Sequence, residues 1–218
     1  MSQPLTHKGR PVPYITAWSR EIVAQPNVMA TAGGLAYAGT APGRDPDGVL
    51  WQVWARRPGS GEPVWNRVHG LRQRQAMRKF LCQVCGGPAD RNEQGWLWLL
   101  EDQRDEERRE WPDGWMTVHP PVCRSCLVVA TRLCPHLRRG VVPVRVGEVI
   151  LDGVYGQRYR VGPLGLLGGE RDTLLMGDWQ SRWMVGGQLA ASLDRCTVLD
   201  PAEFGIEQPA ARRAAAAP

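Results

Sequence analysis

Lysine, phenylalanine and tyrosine are scarce in this sequence. Lysine occurs only as Lys8 and Lys79 among 27 basic residues, so arginine carries nearly all of the positive charge. Arginine suits phosphate contacts, but abundant Ala, Gly and Pro indicate a GC-rich coding bias, which weakens that argument. Two Phe and four Tyr stand against ten Trp. Because a buried indole needs an acceptor for its N–H, we expect some Trp rings at surfaces or grooves.

Long apolar runs are also missing. The start of the chain lacks the apolar run of a signal peptide, and no stretch approaches the ~20 apolar residues of a membrane span. We therefore expect a cytoplasmic protein with no membrane partner. In a reducing compartment, cysteines paired two residues apart favour a metal site over disulfides.

Motifs of nucleophilic and phosphate chemistry are absent as well. The sequence contains neither a G-x-S-x-G elbow nor a G-x-x-x-x-G-K-[ST] loop. The Gly pairs at 33–34, 168–169 and 186–187 lack the context of a phosphate loop and are interpreted as turns. With no convergent set of catalytic side chains, we expect a protein that is not an enzyme.

Two cysteine pairs carry the strongest signal. The first, Cys82-Gln-Val-Cys85, is followed by two glycines, a form typical of a zinc knuckle. The second, Cys123-Arg-Ser-Cys126, opens an apolar run suited to a short helix. Four thiolates complete a tetrahedral site, so we predict one structural Zn²⁺ with no open coordination position. An iron–sulfur cluster also uses four thiolates, but its motifs usually gather three cysteines close together.

The spacer between the pairs adds an architecture. Residues 96–100 and 115–119 are predicted as the two strands of a hairpin, joined by a charged loop, so the order is knuckle, hairpin and helix. Over roughly residues 80–137 this resembles a treble-clef zinc finger, a scaffold shared by ribosomal proteins, nucleases and interaction modules. The motifs CQVCGGPAD, HPPVC and CPHLRRG are also similar to those of uncharacterised zinc-binding proteins of high-GC actinobacteria.

HNH nucleases are a treble-clef variant that this sequence departs from. Their pattern implies a catalytic His on the hairpin and an Asn ahead of the helix. His119 is the one His in the hairpin region, Val118 stands before it where that family has an acidic residue, and no Asn lies between the hairpin and Cys123. We rank a nuclease below a binding function.

Two further cysteines and one histidine are additional candidates for zinc ligands. Cys134 and His136 follow the predicted helix, where either could replace a zinc ligand, although packing is the simpler role for Cys134. Cys196 is assigned to packing.

The chain is predicted to be α+β, with a treble clef between small β-rich units. Residues 14–24 are expected to form a helix, 49–54 a strand, 68–80 a basic helix, and 141–200 an antiparallel sheet with a helix at 183–193. The predicted parts are a disordered N-terminus at 1–13, a β-rich unit ending in the basic helix at 14–79, the zinc module at 80–140, a small antiparallel unit at 141–207 and a disordered tail at 208–218.

Positive charge is concentrated at the N-terminal side. Residues 1–81 carry 11 basic and 4 acidic groups, whereas 82–140 and 141–218 each carry 8 basic and 9 acidic groups. Nucleic acid is therefore the first candidate partner, with the basic helix as its contact surface. The candidate contacts are Arg67, Arg72, Arg74, Arg78 and Lys79. The alternative is that these arginines only form the solvent-exposed face of a helix in an arginine-rich protein.

A protein partner is the alternative. Trp96, Trp98, Trp111 or Trp115 would supply the apolar area that interfaces favour. The loop 101–110 holds six acidic residues against three Arg and would repel nucleic acid locally. These Trp side chains could equally pack against the rest of the chain.

Overall fold

The structure is a computed structural model that describes residues 3–39, 42–104, 110–134, 137, 140–163 and 165–206. It is mostly strand with two α-helices in the described residues, and is compatible with the predicted α+β class. Short 3-10 helices cover Ser19–Glu21, Trp179–Trp183 and Pro201–Phe204. The strands and α-helices are β1 (Leu5–His7), β2 (Arg10–Val12), β3 (Thr16–Trp18), β4 (Val28–Thr31), β5 (Gly34–Tyr37), β6 (Leu50–Trp51), β7 (Pro63–Val68), α1 (Gly70–Lys79), β8 (Arg91–Asn92), β9 (Gly95–Glu101), β10 (Trp115–Thr117), α2 (Arg124–Leu133), β11 (Val141–Gly162), β12 (Gly165–Leu175) and β13 (Met184–Val198).

One seven-stranded sheet organises the chain. Its main path runs β10-β13-β11-β9-β8, while β12 pairs with the far half of β11 and β6 pairs in parallel with β13. The Val-rich start of β11 pairs with β9 on one side and β13 on the other. Three small two-stranded ladders, β1-β2, β3-β7 and β4-β5, accompany this sheet.

Both faces of the sheet are covered at β9. Trp98 and Leu100 join a core cluster with Met77 of α1, whereas Leu97 and Leu99 join a second cluster with Cys82 and Cys126. Successive strand residues point to opposite faces. The cysteine site and α2 therefore lie on one face of the sheet, and α1 lies on the other.

The predicted hairpin of 96–100 with 115–119 is wrong. Both segments contain strands, but β9 pairs with β8 and β11, and β10 pairs with β13. β11 and β13 therefore lie between them in the sheet. Because β9 is apolar on both faces, it needs an interior position with a partner on each side, which a hairpin with the three-residue β10 would not provide.

The two helices predicted at 14–24 and 183–193 are also wrong. The first segment contains β3 and one 3-10 turn, because Thr16–Trp18 pairs with β7 and the Glu21 side chain folds back to accept the Trp18 N–H at 2.9 Å. The second lies in β13, where Leu189, Ala191 and Leu193 alternate onto one core face. Helix propensity is a weak preference that the long ladder with β11 overrides.

The basic helix and the C-terminal sheet are found near their predicted places. α1 spans Gly70–Lys79 within the predicted 68–80, and β11, β12 and β13 are antiparallel. Of the predicted strand 49–54, only Leu50–Trp51 is a strand.

The N-terminal segment differs from its prediction. Residues 5–7 and 10–12, predicted as disordered, form a hairpin, and its buried Val12 anchors it to the core. The predicted tail at 208–218 lies outside the described residues. Neither α1 nor α2, the helices of the described chain, has the length and apolarity that crossing a bilayer requires.

Candidate metal centre

The first cysteine pair lies on a tight knuckle between α1 and β8. The Cys82 N–H donates to the Gly87 carbonyl at 2.7 Å, and the Gly86 N–H donates to the Cys82 carbonyl at 2.8 Å. Gly86 has a φ of +71°, and a Cβ there would lie 2.7 Å from the Tyr14 ring. Glycine is thus required at this position by both backbone conformation and space.

The second pair opens α2. Cys123 is the N-cap residue and Cys126 lies in the first turn. The segment before the helix is fixed by backbone bonds, because the Pro121 carbonyl accepts from the Gln83 N–H at 3.0 Å and the Val122 N–H donates to the Leu97 carbonyl at 2.9 Å. These bonds hold the helix start against both the knuckle and β9.

The four predicted ligand residues come together. The Sγ atoms of Cys82, Cys85, Cys123 and Cys126 all lie within 4.8 Å of one another, and the Cys85 and Cys123 sulfurs are 3.9 Å apart. A regular tetrahedron with metal–sulfur bonds of about 2.3 Å places its sulfurs about 3.8 Å apart. All four cysteines are free thiols rather than disulfides. The cluster therefore has the ligand type and spacing of a site for one metal ion.

Three of the four cysteines in the cluster have shifted thiol pKa values. Burial raises the pKa of Cys82 to about 12. Burial and the neighbouring Cys82 also raise the pKa of Cys126. At Cys123 burial opposes ionisation, but hydrogen bonds from the Ser125 hydroxyl and the Cys126 backbone outweigh it and lower the pKa. Four thiolates packed this closely repel one another, and a bound divalent ion offsets that repulsion.

The remaining cysteines stand apart from this cluster. Cys134 is the C-cap residue of α2 and is not part of the four-sulfur group. His136 lies outside the described residues. Cys196 is partly buried against the core, as its assignment to packing requires, and burial raises its thiol pKa to about 12.

The predicted nucleic-acid helix is not a uniform basic face. Arg72 is 9% exposed, donates through Nη2 to Glu21 Oε2 at 2.7 Å, and also donates to the Tyr14 and Thr16 carbonyls. Arg74 is 9% exposed with its guanidinium 4.1 Å from the centre of the Trp51 ring. Both side chains are buried against other parts of the chain and offer little surface to a partner, so their contact with nucleic acid stays a prediction.

The other three candidate contacts lie at the surface. Arg78 donates to Asp47 at 3.1 Å and lies 3.7 Å from Asp45. Lys79 is exposed at the end of α1. Arg67 is exposed on β7, with its guanidinium 5.7 Å from the centre of the Trp54 ring.

The Trp residues proposed for a protein interface are largely used inside the molecule. Trp98 is 1% exposed and donates its Nε1–H to the His119 carbonyl at 2.7 Å. Trp96 stacks on Phe80 with ring centres 4.5 Å apart, and Trp111 and Trp115 pack against the main core. These Trp side chains therefore pack within the chain, which is the alternative to an interface role.

Sequence reasoning missed a buried polar network beside α1. Glu21 is fully buried, and His69 accepts the Arg72 N–H through Nδ1 while its Nε2 lies 2.9 Å from the Ala55 carbonyl oxygen. The first bond leaves the proton on Nε2. Because Glu21 and Arg72 are 51 positions apart, no local signal could have paired them.

Comparison of the chain with protein-family models, curated proteins and solved structures finds no match.

Proposed function

We propose that this chain is a zinc-binding protein whose single Zn²⁺ is bound by Cys82, Cys85, Cys123 and Cys126 and is structural. The observation that carries the proposal is the mutual approach of the four sulfurs within 4.8 Å. Zinc takes four thiolates in a tetrahedron, and such a site has no open position for substrate. The bound ion would hold the knuckle to α2.

A treble-clef arrangement is the finer part of the proposal. The knuckle at 82–87 is followed by the tight β8-β9 hairpin, in which Asn92 pairs with Gly95, and α2 supplies two ligands from its start. This order supports a treble clef in which β8 and β9 form the hairpin, instead of the segments 96–100 and 115–119.

We propose a binding module rather than an enzyme, acting in the cytoplasm. Among the described residues, the four cysteines form the one cluster of three or more side chains of the metal-binding types. A phosphodiester-cleaving metal needs ligands and open positions beyond a closed tetrathiolate, so an HNH-like nuclease ranks last. Free thiols favour a reducing compartment.

Nucleic acid is the partner class that we place first, ahead of a protein partner. The supporting observation is the excess of basic over acidic groups in residues 1–81, 11 against 4. Because Arg72 and Arg74 are buried, we no longer place the contact surface on α1. We place it instead around the exposed Arg67.

Metal content and folding test the zinc assignment. Purified protein should contain one zinc per chain by elemental mass spectrometry. Cys126→Ser should lose zinc and become insoluble or protease-sensitive, because a structural zinc site contributes roughly 10–16 kcal/mol of apparent binding free energy in small peptides. Cys134→Ser is the matched control and should retain both zinc and folding. Iron, no metal, or a folded Cys126→Ser protein would contradict the proposal.

The 260/280 absorbance ratio before and after a high-salt wash tests the partner class. A high ratio that falls with salt supports nucleic acid, because phosphate contacts weaken as salt rises. A ratio typical of pure protein at both salt concentrations argues for the protein alternative.

A further inference from the structure

Strand β7 carries a three-residue bulge opposite β3. Val64 pairs with Ala17 and Val68 pairs with Thr16, so Trp65, Asn66 and Arg67 have no partner residues on β3. All three are exposed, and Trp65 is 54% exposed. A bulge redirects side chains out of a ladder and is frequent next to functional sites. The solvent-exposed indole of Trp65 is therefore available for stacking.

Arginines surround this bulge. Arg67 lies over the Trp54 ring, and Trp54 in turn packs on the buried His69 with ring centres 4.8 Å apart. Arg56 follows Ala55, whose carbonyl oxygen lies 2.9 Å from His69 Nε2. Arg56 is exposed on the same segment, two residues after Trp54.

Two more arginines extend the basic surface toward β3. The Ser60 carbonyl accepts the Arg20 N–H at 3.5 Å, and the Ser60 N–H donates to the Arg57 carbonyl at 3.1 Å. The backbones of Arg20 and Arg57 therefore lie close together. Both side chains are exposed. This surface, which we call the Trp65 face, consists of Arg20, Trp54, Arg56, Arg57, Trp65 and Arg67.

Few acidic groups neutralise the Trp65 face. Within the described chain, none of its four arginines has a carboxylate within ion-pair distance. The nearby Glu62 is 2.7 Å from His7 Nε2 and 3.5 Å from Lys8 Nζ. On α1, by contrast, the charges of Arg72 and Arg78 are balanced by Glu21 and by the pair Asp45 and Asp47. The Trp65 face therefore carries a local excess of positive charge.

We infer that the Trp65 face binds single-stranded nucleic acid, with Trp65 stacking on an unpaired base and the surrounding arginines contacting backbone phosphates. The inference rests on the proposed nucleic-acid function and specifies its surface and strand form. Interleaved cations and exposed aromatic rings suit single strands, because every unpaired base offers a stacking face. Bases in a duplex are stacked on one another and leave Trp65 no such face.

Fluorescence anisotropy with labelled 12-mers of oligo(dT) and oligo(rU), and with a 12-base-pair duplex, tests the inference. The single strands should bind more tightly than the duplex. Trp65→Ala should weaken single-strand binding by roughly 5- to 150-fold, the range that corresponds to loss of one base–aromatic stack. Arg67→Gln should weaken binding and lower the slope of log affinity against log salt by about 0.7, the value for one phosphate contact on a single strand.

Matched controls come from β12 and from the 3-10 helix Trp179–Trp183. Trp179 is 69% exposed and Arg171 is exposed on β12, so Trp179→Ala and Arg171→Gln remove the same chemistry from another surface. Both should bind as the wild type does. Zinc content should be unchanged in all four variants, because none of these residues is a predicted ligand.

The outcomes separate the two proposals. Wild-type protein that binds no oligonucleotide would overturn the nucleic-acid function and this inference together. Binding that survives both Trp65→Ala and Arg67→Gln, or that falls equally in the Trp179→Ala and Arg171→Gln controls, would overturn the Trp65 face alone. Tighter binding of the duplex would overturn the single-strand assignment.

Discussion

At the residue scale, the buried carboxylate of Glu21 joins three distant segments. It accepts from both terminal nitrogens of Arg72, from the Trp18 N–H at 2.9 Å and from the Arg57 N–H at 3.1 Å. Burial alone would raise the pKa of Glu21, but the hydrogen bonds from Arg72 and Trp18 outweigh it and lower the pKa. With these hydrogen bonds, the buried Glu21–Arg72 ion pair holds the segment before α1 in place.

We expect Glu21→Gln to destabilise the protein by about 3–5 kcal/mol, because it leaves the buried Arg72 without a counter-charge. Urea denaturation followed by Trp fluorescence measures the effect. Glu62→Gln is the control, since Glu62 is exposed and pairs only at the surface with His7 and Lys8. Its cost should stay below about 1 kcal/mol. Equal costs for the two variants would contradict the role assigned to Glu21.

At the element scale, the close pairing of β11 with β13 depends on a glycine. A Cβ at Gly156 would lie 2.2 Å from the Val185 carbonyl oxygen, at a register shift in the ladder. We expect Gly156→Ala to cost about 1–3 kcal/mol, as overpacking does in well-packed interiors. Gly168→Ala on β12 is the matched control, because its nearest atom would be 3.8 Å away. Denaturation midpoints that fall equally in both variants would show that β11 and β13 can move apart at Gly156 without cost.

At the scale of the whole molecule, acid should weaken the fold through the Glu21–His69–Arg72 network. Burial is the main cause that lowers the pKa of His69, so its neutral form is favoured in the folded protein. The contribution of His69 to stability is therefore present above its unfolded pKa of about 6.5 and is lost as pH falls below it. The lowered pKa of Glu21 acts in the same direction, beginning near its unfolded value of about 4.3.

The measurement is the free energy of unfolding at pH 7.5, 6.5, 5.5 and 5.0 with zinc in excess. His69→Gln removes one titrating group and should give a shallower decline below pH 6.5 than the wild type. Protonation of the zinc ligands contributes equally to both proteins and cancels in the comparison. Parallel declines would show that His69 does not couple protonation to folding.

The sequence by itself determined the features that depend on short spacing. Two Cys-x-x-Cys pairs, the first followed by two glycines, identified the metal-ligand candidates. Alternating apolar and basic residues located α1. Both features are local, because ligand spacing and helix periodicity depend on residues close together in the sequence. The antiparallel strands of 141–200 were predicted for the same reason, although their apparent helix at 183–193 was not real. There the Ala and Leu of β13 have helix propensity, which the ladder with β11 overrides.

Only the tertiary structure decided which side chains face solvent and which strands pair. Arg72 and Arg74 have the same local context as exposed helix arginines, yet Glu21 and Trp51 enclose them from positions far along the chain. Likewise, β9 and β10 are separated by β11 and β13, which follow them in sequence. Burial and strand pairing depend on contacts between distant residues, so the sequence could not show that Arg72 and Arg74 are buried while Arg67 is exposed.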